Sequence, residues 1–82
     1  MIQLTHVLND PQGLHARPIA TIASKLANCQ SDVEIKLGER TASARDLIGM
    51  LGLGARGGDE LHITVTGEDE EQTADILRTV LP

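Results

Sequence analysis

The chain has 82 residues, a net charge of −5 and no phenylalanine, tyrosine or tryptophan. This length suits one domain, residues 1–82, with an aliphatic core. Because the chain lacks a basic composition and aromatic stacking platforms, we expect no nucleic-acid partner. The single cysteine, the missing signal peptide and the absence of a long apolar run predict a cytoplasmic protein without membrane insertion.

The first third of the chain predicts a strand, a loop and a helix. Apolar and polar residues alternate over residues 2–8, as in a half-buried strand, and residues 9–13 have a loop composition. Residues 16–27 carry apolar side chains at helical spacing, and Pro18 is tolerated only in the first turn of such a helix. The helix must therefore begin close to His15. The predicted buried stripe contains Ile19, Ile22, Ala23 and Leu26.

The middle of the chain predicts a hairpin and a short helix. Residues 33–37 alternate between apolar and charged side chains, and a turn at residues 38–39 leads to a short returning strand over residues 40–44. Asp46 is suited to cap a helix over residues 47–51, because a side-chain carboxylate accepts bonds from free N–H groups.

The last third predicts a fourth strand over residues 61–65 and a helix that runs to about Leu81. Asp69 and Gln72 resemble a capping box at the start of this helix. Every strand has one polar face, which favours an antiparallel sheet with all helices on one side. The predicted fold class is α+β, an open-faced β-sandwich in the order β-α-β-β-α-β-α.

His15 is the residue whose position best suits chemistry. Backbone N–H groups at a helix start, here those of Ala16 and Arg17, bind anions, and the Arg17 guanidinium matches phosphate oxygens. A neutral imidazole is a nucleophile and a good leaving group. On residue chemistry alone, a helix-capping or surface histidine explains this position equally well.

A motif around His15 resembles a known family. The segment reads Gly13-Leu14-His15-Ala16-Arg17-Pro18, which is similar to the active-site motif of the HPr family, the histidine phosphocarriers of the bacterial sugar phosphotransferase system. Residues 46–54 resemble the regulatory helix of that family and the loop after it. The resemblance covers essentially the whole chain and implies a sheet order of 1-4-2-3.

The resemblance implies a phosphocarrier rather than an enzyme. His15 would be phosphorylated on Nδ1 by enzyme I, charged from phosphoenolpyruvate, and would pass the group to a histidine of an enzyme IIA domain or related acceptor. Arg17 and the N–H of Ala16 would contact the phosphate. We expect a monomer without a cofactor or metal. The implied docking surface consists of Ala16, Ala20, Ser24, Leu47, Ile48 and Leu51.

Asp46 departs from the pattern of Gram-positive members, which typically carry a serine that a dedicated kinase phosphorylates. An aspartate has no hydroxyl group. The sequence therefore predicts that this regulatory position, Asp46, cannot be phosphorylated and that the switch is absent.

The sequence offers alternatives to a phosphocarrier. The glycine-rich segment 49–54 lacks the Lys-Ser/Thr end of a nucleotide loop, and strand parity places His6 and His62 on opposite faces, which argues against a shared metal. A regulatory binding module that docks without phosphorylation stays open, as does a phosphorelay of the dihydroxyacetone-kinase or nitrogen branch. A small-molecule hydrolase or transferase is disfavoured because only Arg17 accompanies His15.

Overall fold

The computed structural model describes all 82 residues, with four strands and three helices in the predicted order. Each element begins and ends within a few residues of its prediction, since side-chain periodicity and helix-start signals are strong in this chain. The elements are β1 (Ile2–Val7), α1 (Ala16–Leu26), β2 (Asp32–Leu37), β3 (Arg40–Ser43), α2 (Leu47–Gly52), β4 (Glu60–Thr66) and α3 (Glu70–Val80).

The four strands form one antiparallel sheet in the order β1-β4-β2-β3, which confirms the predicted 1-4-2-3 arrangement. Val65 of β4 lies between Ile2 of β1 and Val33 of β2. Since side chains alternate along each strand, this register gathers the apolar residues of neighbouring strands on the same face.

The core lies between that apolar face and the helices. It contains 17 buried apolar residues, among them Ile35 and Ile63 from the sheet and Ile22 and Leu77 from the helices. Burying an aliphatic side chain of this size contributes about 1.5–3 kcal/mol. The opposite face of the sheet is polar and open. Its exposed residues include Thr5, Glu34, Lys36 and His62. None of the three helices is both long and apolar enough to cross a membrane.

The predicted capping box at α3 is wrong. Asp69 occupies the N-cap position of α3, but its side chain makes no capping bond. The carboxylate instead accepts hydrogen bonds from the backbone N–H groups of Gln30 and Ser31, each at 2.9 Å. Glu70, rather than Gln72, accepts the N–H of Gly67 at 3.3 Å. The loop before β2 presents free N–H groups beside the start of α3, and their contact with Asp69 cannot be read from local sequence.

The loop between α1 and β2 is held from a second direction by Arg45. Its guanidinium donates hydrogen bonds to the carbonyl oxygens of Leu26, Cys29 and Ser31. Carbonyl groups at a helix end need such donors because they have no partner within the helix. Arg45 thus adds a donor at the last residue of α1 and holds the loop through which the chain enters β2. The end of α3 also differs slightly from its prediction, since Leu81 lies just beyond the helix and is half-buried.

Candidate functional site

A tight loop places His15 at the start of α1. Gly13 adopts a positive φ of 66°, and a Cβ atom at this position would lie 2.3 Å from the carbonyl oxygen of Ala55. Only glycine fits such a close approach in this backbone region. The N–H of the neighbouring Leu14 donates to the same Ala55 oxygen at 3.0 Å, and the Leu14 side chain is buried in the core. The segment before α1 is therefore held by its backbone against Ala55 and by the Leu14 side chain in the core.

His15 is the N-cap residue of α1 by its backbone, with extended φ and ψ angles, but its side chain makes no capping bond. The helix-capping explanation of this histidine is therefore wrong. The imidazole is 32% exposed. The backbone N–H groups of Ala16 and Arg17 donate to no acceptor in the chain, and Pro18 has no N–H group. Two uncommitted donors thus lie at the helix end where the macrodipole favours an anion.

Asp10 is the nearest ionisable neighbour of His15, and sequence analysis missed it. The distance from its Oδ2 to His15 Nε2 is 3.3 Å. Its Oδ1 accepts the N–H of Gln12 at 2.9 Å. These contacts hold the pKa of the Asp10 carboxyl below its ordinary value, with the Gln12 bond as the larger cause and His15 as the second. The only sequence signal was a turn-forming Asp-Pro pair in a loop without periodicity.

The imidazole faces an open cleft of about 690 Å³. His15, Ala16 and Arg17, which the sequence singled out, lie together along it. The remaining wall comes from residues that the sequence did not indicate, including Val80 near the end of α3. The C-terminus stays near this loop because the N–H of Asn9 donates to the carbonyl oxygen of Pro82 at 2.9 Å. The full lining is Asp10, Gln12, His15, Ala16, Arg17, Pro18, Thr21 and Val80.

Three apolar side chains on α2 form an exposed surface that we call the apolar patch: Leu47, Ile48 and Leu51 are 46%, 82% and 48% exposed. Met50 of the same helix is fully buried. Helices α1 and α2 pack against each other. The α1 residues predicted for the same surface, Ala16, Ala20 and Ser24, are exposed as well.

Asp46 caps α2 as predicted. Its carboxylate accepts the N–H of Gly49 at 3.0 Å. A Cβ atom at Gly49 would lie 2.6 Å from Asp46 Oδ2, so the glycine makes room for the cap. Asp46 also borders a polar groove on the open face of the sheet, near Asp32 and Glu34. Neither here nor elsewhere does the chain gather three or more His, Cys, Asp or Glu side chains in a group suited to a metal ion.

Fold and site together define a class of protein: a small open-faced sandwich that presents one imidazole beside free backbone donors at a helix start. The family model described as the PTS HPr component phosphorylation site matches residues 2–82. The chain therefore belongs to this family, the HPr phosphocarriers of the phosphotransferase system, and the resemblance in the sequence is confirmed.

Individual relatives agree with this assignment. The phosphocarrier protein HPr of Lysinibacillus sphaericus is 35% identical over 72 residues, which cover 88% of this chain and 82% of that protein. A multiphosphoryl transfer protein of Xanthomonas campestris pv. campestris is 34% identical over 71 residues, which cover 87% of this chain but only 8% of that protein. The chain is thus similar both to free carriers and to one segment of a much longer protein.

Solved structures show the same fold. The crystal structure of HPr-C-His from Thermoanaerobacter tengcongensis superposes with a TM-score of 0.92 at 25% identity, covering 99% of this chain and 91% of that one. The phosphocarrier protein HPr from Bacillus anthracis str. Ames superposes with a TM-score of 0.89 at 25% identity, covering 99% and 96%.

Proposed function

We propose that this chain accepts a phosphoryl group on His15 from enzyme I, charged from phosphoenolpyruvate, and passes it to a histidine of an enzyme IIA domain or related acceptor in sugar uptake. The observation that carries the proposal is the arrangement at the start of α1. The imidazole does not cap its helix, and the N–H groups of Ala16 and Arg17 beside it are uncommitted.

The chemistry needs few groups beyond these. In the first step the lone pair on the attacking nitrogen, Nδ1, forms the N–P bond while the bond to the donor breaks and its electrons leave with the donor. The phosphate oxygens accept from the N–H groups of Ala16 and Arg17, and the helix dipole adds about 0.3–1 kcal/mol, up to about 2 when partly buried. The Arg17 guanidinium supplies a charge-assisted contact. In the second step the acceptor's imidazole displaces His15.

Docking would use the exposed side of α1 and the apolar patch. Scattered exposed apolar residues are ordinary, but three on one short helix that packs against α1 mark an interaction surface. A partner that covers this surface would also exclude water from the N–P bond, which protects the group during transfer. In this proposal the domain, residues 1–82, works as a monomeric carrier, and the chemical machinery is shared with its partners.

A second candidate is the same chemistry inside a longer transferase. The similarity to one segment of the Xanthomonas multiphosphoryl transfer protein favours it. In that case the donor or acceptor would be joined covalently, and a raised effective concentration would replace part of the docking affinity.

The test is incubation with phosphoenolpyruvate and a bacterial enzyme I, followed by addition of an enzyme IIA domain. We expect an acid-labile phosphohistidine on this chain that disappears as the acceptor becomes labelled. A regulatory module that only docks would bind without acquiring a label. A hydrolase would release inorganic phosphate without an acceptor. Either result would refute the carrier proposal.

A further inference from the structure

We propose that Asp10 is a positioning residue that sets the tautomer of His15, holding the ring proton on Nε2 and leaving the lone pair on Nδ1. This inference rests on the proposed function and deepens it, because it identifies what makes Nδ1 the attacking nitrogen. Asp10 does not need to touch the phosphoryl group and acts through the imidazole.

The direction of the hydrogen bond follows from the chemistry of its two partners. An ionised carboxylate can only accept, and a neutral imidazole carries one proton on one of its two nitrogens. Asp10 Oδ2 lies 3.3 Å from His15 Nε2. The ring nitrogen that faces the carboxylate must therefore be the one that bears hydrogen. Nδ1 then holds the lone pair that a nucleophile needs.

Asp10 is held in place by the loop. Its Oδ1 accepts the N–H of Gln12, and its carbonyl oxygen accepts the N–H of Gly13 at 2.8 Å. Gly57 packs so closely that a Cβ atom there would lie 2.7 Å from the same carbonyl oxygen. Oδ2 is left as the oxygen that points at His15. An aspartate carboxyl is ionised near neutral pH even at its ordinary pKa and therefore accepts hydrogen bonds, and the lowered pKa of Asp10 extends this state towards lower pH.

With this tautomer, no proton has to leave or enter the imidazole during either transfer step. When the Nδ1 lone pair forms the N–P bond and the donor leaves with its electrons, the ring gains positive charge, which the neighbouring carboxylate offsets. When the acceptor takes the phosphoryl group, the electrons of the N–P bond return to Nδ1. The proton stays on Nε2 in both directions, and no base has to remove it.

The variant Asp10→Asn tests whether Asp10 positions the ring proton of His15, because it changes this contact without changing the conformation of the loop. The amide oxygen can keep the bond from the Gln12 N–H, which places the NH₂ group where Oδ2 was. An NH₂ group donates, so Nε2 must then accept, and the ring proton moves to Nδ1. The variant keeps the shape of the loop and reverses the polarity of one contact. Asp75→Asn is the matched control, because it makes the same charge change at an exposed site on α3.

Nitrogen-15 NMR of the imidazole near neutral pH reads the tautomer without any partner protein. We expect mainly Nε2–H in the parent and in Asp75→Asn, and mainly Nδ1–H in Asp10→Asn with an unchanged melting temperature. Phosphoryl transfer from enzyme I should fall about tenfold or more in Asp10→Asn alone, as for other histidines held in the wrong tautomer.

An Nδ1–H tautomer in the parent would overturn the inference, and so would Asp10→Asn retaining the parent's tautomer, whatever its transfer rate. The second variant, Asp10→Ala, removes the carboxylate outright and should leave a mixture of tautomers, and a parent-like tautomer in it would also count against the role. If enzyme I fails to label even the parent, the proposed function fails, while the tautomer measurement still decides the role of Asp10.

Discussion

At the scale of single residues, the side chain of Arg17 is free of contacts that would hold the fold together. It is exposed in the first turn of α1, and its guanidinium makes no hydrogen bond or ion pair within the chain. A rigid, planar cation without an internal partner is available for a phosphate or a docking protein. Its contribution is therefore expected in the transfer rate rather than in stability.

Arg17→Ala should slow transfer from enzyme I by about tenfold or more, because a charge-assisted hydrogen bond contributes about 1.5–3 kcal/mol. The melting temperature should hardly change. Arg78→Ala is the control, since it removes an exposed arginine from α3 that is paired with Asp75. The rate of phosphoryl transfer from enzyme I is measured for the parent, Arg17→Ala and Arg78→Ala. Equal rates for Arg17→Ala and the parent would refute the role of Arg17.

Asp69 differs from Arg17, because it is a charged residue with a structural role. Its carboxylate accepts hydrogen bonds from the side chains of Ser31 and Thr73 as well as from the N–H groups of Gln30 and Ser31. The Ser31 hydroxyl is the largest cause that lowers the pKa of the Asp69 carboxyl from its ordinary value of 3.8. One side chain thus joins the start of α3 to the loop before β2.

Asp69→Asn should lower the melting temperature at pH 7. A folded-state pKa below the unfolded value means that the charged form adds stability above the unfolded pKa and loses it as pH falls through the folded pKa. The gap between parent and variant should therefore be largest at neutral pH and should narrow below about pH 4. Thermal melts from pH 7 to pH 2 test this, with Asp75→Asn as the control. A gap independent of pH would contradict it.

At the scale of elements, α2 combines a buried anchor with an exposed surface. Met50 is fully buried, whereas Ile48 is 82% exposed. A six-residue helix contributes little stability of its own, so its position depends on the Met50 contact and the Asp46 cap. The apolar patch is thus presented by a helix that the core holds in place.

Ile48→Asp should weaken binding of enzyme I and of the enzyme IIA domain by about tenfold or more, because a charge in the centre of an apolar contact is costly. The melting temperature should stay close to that of the parent. Val7→Asp is the matched control, since Val7 is also exposed but lies on β1. A large drop in melting temperature with normal transfer would show that Ile48 belongs to the core.

Asp46→Ser tests whether the fixed charge at the start of α2 does more than cap the helix. Serine caps nearly as well, since serine and aspartate are preferred about equally at the N-cap position. If the charge tunes docking, transfer rates should differ several-fold at low salt and converge at high salt, where the screening length falls to about 3 Å at 1 M. Rates that coincide at every salt concentration would leave Asp46 as a cap alone.

The elements could be predicted because each depends on signals a few residues apart. The alternation in β2, the helical spacing in α1 and the Asp46 cap are all local. The capping box at α3 was predicted wrongly because the contacts of Asp69 are not local. Its carboxylate binds N–H groups 38 and 39 residues away in the chain. Val80 was missed at the cleft for the same reason, because tertiary structure brings it to His15. Asp10 lies only five residues before His15, and it was missed because the conformation of a loop without periodicity sets this contact.

At the scale of the whole molecule, the fold puts three histidines of similar intrinsic chemistry into three environments. His6 faces the core, where its Nε2 is buried without a hydrogen-bond partner. His62 lies on the open face of the sheet, 3.3 Å from Glu60. Only His15 combines partial exposure, a carboxylate on one ring nitrogen and free backbone donors beside it. We therefore expect His15 to be the reactive histidine because of its surroundings, since all three histidines have the same side chain.

The most direct test of this account is phosphoryl labelling of the parent, His15→Ala, His62→Ala and His6→Ala by enzyme I and phosphoenolpyruvate, with the modified site mapped by mass spectrometry. The parent and His62→Ala should each carry one acid-labile phosphoryl group on His15. His6→Ala should carry the same group at temperatures at which its melting curve shows that it is folded. His15→Ala should carry none. A phosphoryl group that persists in folded His15→Ala, or maps to another residue of the parent, would contradict the central claim.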